Sequence, residues 1–467
     1  MEFKARKIEI VADNPYTNDK LSRKDNIDKL SLLLRNFSTP IVLSINAPWG
    51  YGKTTFLEML HADLINNGCN SIYFSAWETD FATDPLLAFL GEMNQGIEPL
   101  IKGDKKKSEA WNKAKKAGSH ILKRGVPVLL KVGTAGIVDV DKIIEDETSK
   151  FVEGISQDVI AEYSNNKDEI KSFKKHINKI LNIDDKAKNK LFIFVDELDR
   201  CKPTYAIELL ERIKHLLDIE GLVFVLALDK QQLAHSVKGV YGYDFEAIGY
   251  LKRFIDIEYN LPTSDLSSFI DQLYNTFKFK EFFEKRTEYR AFRYETEHLR
   301  NVFKMLISEA ELSLRDVEHI FAKMNLVIHS TKEGTHLYPP LLAILLVVKE
   351  LKPEIYKEYT QEESTPEKMI EYLYSLFSNG NYTESFECAL VEGYLIAAKS
   401  NSHNSKLGTS LSKHKEFLED DKCSEQQREY SDRVIAIAKK PTDLGSSVVL
   451  NSIVSRIEMT ENFEFSV

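Results

Sequence analysis

Hydrophobic positions along the chain fall into two rhythms. Short, nearly continuous apolar runs occupy Pro40–Asn46, Ser71–Phe74, Leu191–Val195 and Leu222–Leu228. Such runs read as strands buried on both faces. A shorter run, Ile255–Tyr259, is stopped by Pro262. Elsewhere the apolar residues recur at helical spacing. Phe56, Leu57, Leu60 and Leu64 form one stripe after Thr54. Ala206, Leu209, Leu210, Ile213, Leu216 and Leu217 form another, with Thr204 as its expected N-cap. Alternation of strand, helix and strand with continuous apolar strands predicts a parallel sheet covered on both faces.

Two regions break that alternation. From about Met93 to Asn189 the chain is lysine-rich and helical in pattern, which reads as an insertion between strands of one sheet. After Pro262 no strand pattern returns, and the remainder reads as helical. The polar stretch Lys399–Arg428 is expected to be a loop between helices. The expected division is therefore residues 1–92 and 190–262 for the two halves of an α/β core, 93–189 for a helical insertion, 263–330 for a helical lid and 331–467 for a C-terminal helical domain. Gly125–Val138 and Leu341–Val348 are apolar, but a bilayer span takes roughly 20 apolar residues. Both read as buried helix. The first has a basic flank and also reads as a membrane-surface contact.

Length and composition narrow the class. A chain of 467 residues is long enough for two or three domains. At 43% hydrophobic and 29% charged it is neither low-complexity nor disordered. A net charge of −10 argues against a dedicated nucleic-acid coat, while leaving a local basic patch open. Cys69, Cys201, Cys388 and Cys423 are too scattered to suggest a zinc site or a disulfide framework. The charged segment Met1–Ile10 lacks the apolar core of a signal peptide, so a cytoplasmic protein is expected.

The chemistry concentrates after two of the strands. Ala47-Pro48-Trp49-Gly50-Tyr51-Gly52-Lys53-Thr54-Thr55 lies between a predicted strand and a predicted helix. It is the phosphate-binding loop pattern with alanine at its first glycine position. Gly50 and Gly52 let successive N–H groups face an anion, Lys53 reaches the β- and γ-phosphates, and Thr54 offers a hydroxyl to Mg²⁺. Leu191–Val195 runs into Asp196 and Glu197. There Asp196 is positioned for the metal's water shell and Glu197 for orienting and deprotonating a water. Asp199 and Arg200 follow, readable as part of the site or as a structural ion pair.

Pro48-Trp49-Gly50, Phe74-Ser75-Ala76-Trp77 and Asp196-Glu197-Leu198-Asp199-Arg200-Cys201, in this order, resemble the KAP family of P-loop NTPases. Phe224–Asp229 and Tyr250–Phe254 running on to Leu261-Pro262 extend the resemblance, and Asp19–Arg23 is similar to the family's lead-in segment near the nucleotide base. The resemblance covers about Asp13–Val327, weakly across the insertion. It implies a P-loop core of the additional-strand type, ATP with Mg²⁺, and a contact from Arg23. The family includes animal neuronal membrane scaffolds and bacterial phage-exclusion proteins. Many relatives carry membrane hairpins within the insertion, for which Gly125–Val138 is a counterpart too short to span. Glu197 stands where the family commonly has Asp, which favours turnover.

Three further residues are candidates. Asp229 is either a γ-phosphate sensor or the N-cap of the helix begun by Lys230. Arg253 is either a finger completing a neighbouring subunit's site, as in ring-forming ATPases, or a surface arginine. Arg315 resembles a lid arginine that senses nucleotide, or forms a helix-surface ion pair. The basic stretch Lys102–Arg124 is either a solvated face or a dock for nucleic acid or an anionic membrane. The reading favours a Mg²⁺-dependent ATPase acting as a switch or homo-oligomeric assembly, with anti-phage defence and a protein effector implied by the resemblance. A nucleotide-gated scaffold with negligible turnover and a DNA-associated motor are the alternatives.

Overall fold

The computed structural model describes residues 8–124 except 38, 39 and 83, then 168–181, and then 190–463 apart from 215–218, 263–265, 287, 290–291, 311, 333, 362–363, 378–379, 400–407 and 440–446. Gly125–Val138 and most of the insertion lie outside the described residues. The chain divides into two compact units, one built mainly from Arg23–Thr263 with Ile8–Asp19, the other from Ser264–Val467.

The first unit is a five-stranded parallel sheet. Its strands are β1 (Ile41–Asn46), β2 (Asn70–Ser75), β3 (Leu191–Asp196), β4 (Leu222–Leu228) and β5 (Ile257–Asn260). Their order across the sheet is β2-β3-β4-β1-β5, so β4 is the additional strand between β1 and β3. The continuous apolar runs are explained by their alternation. Leu43, Ile45, Phe194, Val223 and Val225 pack beneath the Lys24–Asn36 and Lys53–Asn66 helices. Val42, Ile193, Val195, Phe224 and Leu226 point the other way, into a core shared with Pro85–Ile101, Lys105–Arg124, Pro203–Ile213 and Lys230–Tyr241. A strand buried on both faces needs apolar residues on both, which Leu191–Val195 and Leu222–Leu228 carry throughout and Ile41–Ile45 carries but for Ser44.

Several sequence expectations shift. The cut expected at Met93 falls inside the Pro85–Ile101 helix, whose Phe89, Met93 and Ile97 belong to the sheet's own core. Thr204 is not an N-cap, because Pro203 opens that helix and Lys202 precedes it without a side-chain cap. Proline takes the first helical position well, since it has no N–H to leave unsatisfied there. The last strand begins at Ile257 rather than Ile255, because the chain first turns through Lys252–Phe254.

Every secondary-structure element among the described residues of the second unit is a helix. Leu341–Val348 lies within the Pro339–Leu351 helix, every residue of it buried at the centre of one apolar core. Among the described residues no helix is long and apolar enough to cross a membrane. The stretch read as a loop at Lys399–Arg428 instead contains the Gly408–Glu419 helix. Its inward face is polar, which hid it from the hydrophobic pattern. Ser410 donates to Glu367 at 2.8 Å, and His414 bonds Glu392 at 2.8 Å and Ser431 at 3.0 Å.

Candidate functional site

The site lies at the carboxyl ends of β1, β3 and β4, where an open parallel sheet presents helix N-termini and strand-end loops together. After β1 the loop reaches Gly50 at φ 82° and Gly52 at φ 75°, left-handed values that glycine adopts without a Cβ clash. Ala47, at the motif's first glycine position, needs no positive φ. Its N–H continues the sheet by donating to Leu228 O at 3.3 Å, so the alanine costs the loop no backbone strain. Lys53 then opens the helix, followed in its first turn by Thr54 and Thr55. The N–H groups of that turn have no partner within the helix and are the donors a phosphate takes up.

Lys53 is largely buried, and its ammonium donates to Ala47 O at 2.7 Å and Pro48 O at 3.2 Å. Burial lowers its pKa, opposed chiefly by the charges of Asp199 and Asp229. The nearest carboxylate oxygen, on Asp199, is 3.9 Å away. A desolvated ammonium close to loop carbonyls is a strong electrostatic partner for a polyphosphate.

Two carboxylates close the other side. Asp196 ends β3 and is buried, accepting from Tyr73 OH at 2.5 Å and from the Glu197 N–H at 2.8 Å. Burial pushes its carboxyl above the usual range, opposed by the hydrogen bonds from Tyr73 and Thr54. The Thr54–Asp196 pair is a hydroxyl and a desolvated carboxylate held together at the sheet edge. That donor set fits Mg²⁺, which binds through one or two protein oxygens and keeps the rest of its shell for water and phosphate.

Glu197 adopts a left-handed backbone, φ 61°, uncommon for a residue with a side chain and costly to hold. Its carboxylate is gripped at both oxygens, accepting from Ser75 Oγ at 2.9 Å and from the Arg200 guanidinium at 2.5 Å. The latter contact makes Arg200 an ion-pair partner of Glu197, while Trp77 lies over its guanidinium at 5.9 Å.

The remaining candidates separate. Trp49 donates from its indole to Asp199, and Tyr51 and Gly52 offer carbonyls to Arg23 at 2.7 and 2.8 Å. Arg23 is buried beneath the loop, its pKa lowered by burial to about 10, so it braces the loop from behind. Asp229 is an N-cap, accepting from Gln231 N at 3.0 Å and Gln232 N at 3.2 Å. That satisfies the capping alternative. Arg253 is exposed in the turn before β5, where its backbone N–H donates to Tyr250 O at 3.1 Å while its side chain makes no hydrogen bond or ion pair among the described residues. Arg315 belongs to the other unit, in the first turn of Leu314–His329, where its charge acts on Glu318.

Tyr73 is not a site candidate in the sequence, and Ser75 enters there only within the Phe74–Trp77 run of the family resemblance, with no role of its own. Their signal was register: β2 pairs with β3 so that Ser75 sits opposite Asp196, and two residues back on the same face is Tyr73.

Among solved structures the chain is similar to the ORC2 protein of Aeropyrum pernix in its ADPNP–ADP complexes, at 13% identity over 94% of this chain and 95% of that one, with a TM-score of 0.31. It is also similar to a DNA replication initiation factor, at 11% identity over 94% of this chain and 98% of that one, with a TM-score of 0.26. No curated protein sequence matches it. The profile of the KAP family P-loop domain, however, matches residues 23–330, a span that holds the loop, both carboxylates and the whole parallel sheet. The chain belongs to the KAP family of P-loop NTPases.

Proposed function

We propose that this protein is a Mg²⁺-dependent ATPase whose cycle drives a conformational switch or a homo-oligomeric assembly. The observation that carries this reading is the meeting of Lys53, Thr54, Asp196 and Glu197 at one sheet edge. Lys53 would hold the β- and γ-phosphates and stabilise the charge that grows on them during transfer. Thr54 and Asp196 would hold Mg²⁺, which supplies charge neutralisation between the phosphates. Glu197 would orient a water for in-line attack and accept its proton, leaving ADP and phosphate. ATP is favoured over GTP because no guanine-reading NKxD sequence is evident. The bacterial phage-exclusion members of the family support placing the cycle in anti-phage defence. The sequence shows no nuclease or protease constellation, which supports a separate effector protein.

A second reading rests on the grip that Ser75 and Arg200 keep on Glu197. A carboxylate held in that way has to be released before it can take a proton from water. A scaffold that binds ATP stably and turns it over negligibly would retain this arrangement. Phosphate release by the full chain with saturating ATP and Mg²⁺ separates the two. Steady turnover, abolished in Lys53→Ala, supports the ATPase. Stoichiometric ATP binding without release of phosphate supports the scaffold instead.

A further inference from the structure

The site leaves unused a strongly basic surface on the first unit. Asp104 starts the Lys105–Arg124 helix, accepting at one carboxylate oxygen from Lys106 N at 2.9 Å and Lys107 N at 3.0 Å. At 100° per residue its apolar positions gather on one side. Ala110, Trp111, Ala114 and Ala117 are all buried in the sheet's core, and the Trp111 indole donates to Asn94 at 2.8 Å. The opposite side is exposed and carries Lys105, Lys106, Lys113, Lys115 and Lys116, with Glu109 as its one acid. Those eleven residues of rise make a row roughly 16 Å long.

A second helix adds to the charge. Residues 168–181 bury Phe173, Ile177 and Ile180 in the same core and expose Lys171, Lys175 and Lys179, with the exposed Asp168 carboxylate 3.5 Å from the Lys171 ammonium. Gly118 lets the first helix lie close to Pro85–Ile101, because a Cβ there would meet Leu90 Cδ1 at 2.8 Å, while Phe173 Cε2 of the second helix would be in ordinary contact at 3.7 Å. This concentration of positive charge stands on a chain whose net charge is −10. It is a local feature of the surface and runs against the protein's overall charge.

We propose that this lysine face docks the phosphate backbone of duplex DNA, without reading its sequence. The partner follows from what the face holds and what it omits. Lysine ammoniums are point charges suited to phosphate oxygens, and a row of about 16 Å faces some five base-pair steps. Among the described residues the face presents no aromatic side chain on which unpaired bases could stack, because Trp111 is buried and hydrogen-bonded, so single strands are disfavoured. It offers few neutral polar groups to engage the 2′-hydroxyls on which duplex RNA recognition relies. An anionic bilayer is the weaker fit, since a membrane-surface helix lowers an apolar face between the headgroups. Here the described apolar residues of both helices are spent on the protein core.

The test uses the full chain and a labelled random-sequence DNA duplex of about 24 base pairs, followed by fluorescence anisotropy between about 50 and 200 mM salt. Five engaged lysines predict a slope of log affinity against log salt near −4.5, that is about −0.9 for each phosphate neutralised. Replacing Lys105, Lys106 and Lys113 together by Gln should make that slope about three units shallower, while ATP binding stays unchanged. The same chain is titrated with the matching RNA duplex, with single-stranded DNA and with phosphatidylcholine–phosphatidylserine vesicles. Salt-dependent duplex DNA binding that the triple variant loses supports the proposal. Tighter binding to RNA, single strands or vesicles overturns it, and so does duplex binding that the triple variant retains. The proposal is independent of ATP turnover and stands or falls without it.

Discussion

The indole N–H of Trp49 donates to the Asp199 carboxylate at 2.5 Å, joining residues 150 positions apart in the chain. One belongs to the phosphate-binding loop and the other to the turn after β3, so the bond ties together the two halves of the site. Asp199 is nearly buried and also lies 3.9 Å from the Lys53 ammonium. Its charge is therefore shared between a fixed neutral donor and the cation that a phosphate would recruit. The tryptophan of Pro48-Trp49-Gly50 thus has a structural reason: among apolar side chains only an indole brings both a large ring and an N–H.

A double-mutant cycle on this pair measures its worth. Trp49→Phe keeps the ring and deletes the donor, while Asp199→Asn keeps the shape and deletes the charge. Hydrogen bonds to buried charges are worth about 1.5–3 kcal/mol, so the cycle should return a coupling of at least about 1 kcal/mol in urea unfolding. Strictly additive losses would show that the two residues do not act together.

Glu197→Gln should still bind ATP and Mg²⁺, since Lys53, Thr54 and Asp196 are untouched. Its phosphate release should fall by about 10²–10⁴-fold, the usual cost of removing a general base. Nucleotide retained on the variant after gel filtration would agree with that role. Failure to bind ATP at all would give Glu197 a part in binding instead.

Arg253 is exposed in its turn, and its guanidinium makes no hydrogen bond or ion pair with the described residues of its own chain. If it completes a neighbour's site, Arg253→Ala should bind ATP normally and hydrolyse it about 10³-fold more slowly. Mixing this variant with Lys53→Ala should restore activity, because one chain supplies Lys53 and the next supplies Arg253. Activity should also rise faster than linearly with protein concentration. No recovery on mixing, together with a monomer mass in the presence of an ATP analogue, would make Arg253 a surface residue.

His61 gives the first unit an acid sensitivity. It lies on the Lys53–Asn66 helix, with Nδ1 2.7 Å from Ser71 Oγ and its ring edge-on to Phe194. Burial lowers its pKa from the ordinary 6.5 to about 4. The unfolded chain therefore takes up the proton more readily than the fold does. Stability from this residue is complete above about pH 6.5 and is lost as the pH falls toward about 4, by up to about 3 kcal/mol. Unfolding free energies at about pH 7 and about pH 5 should differ less in His61→Leu than in the parent protein. An unchanged difference would assign the sensitivity to other groups.

The features legible in the sequence were those written in neighbouring residues. Continuous apolar runs predicted β1, β3 and β4, because a strand buried on both faces has few polar positions to spare, whereas the run in β2, at the sheet edge, is shorter and its burial alternates. The phosphate loop was legible because its glycines, lysine and threonine must follow one another along one strand–turn–helix. Asp196 and Glu197 were legible because an acidic pair directly after a buried strand has few other uses. What only the tertiary structure decided was pairing through space. It brought Tyr73 and Ser75 onto the two acids, set Trp49 on Asp199, and turned Arg23 under the loop carbonyls. It made Asp229 a cap and placed a helix at Gly408–Glu419 whose buried contacts include His414 and Ser410. The physical reason is common to all of these. Hydrophobic burial repeats with the period of the element and so leaves a trace along the chain. A hydrogen bond between two polar side chains needs only one donor and one acceptor, and it leaves no such periodic trace.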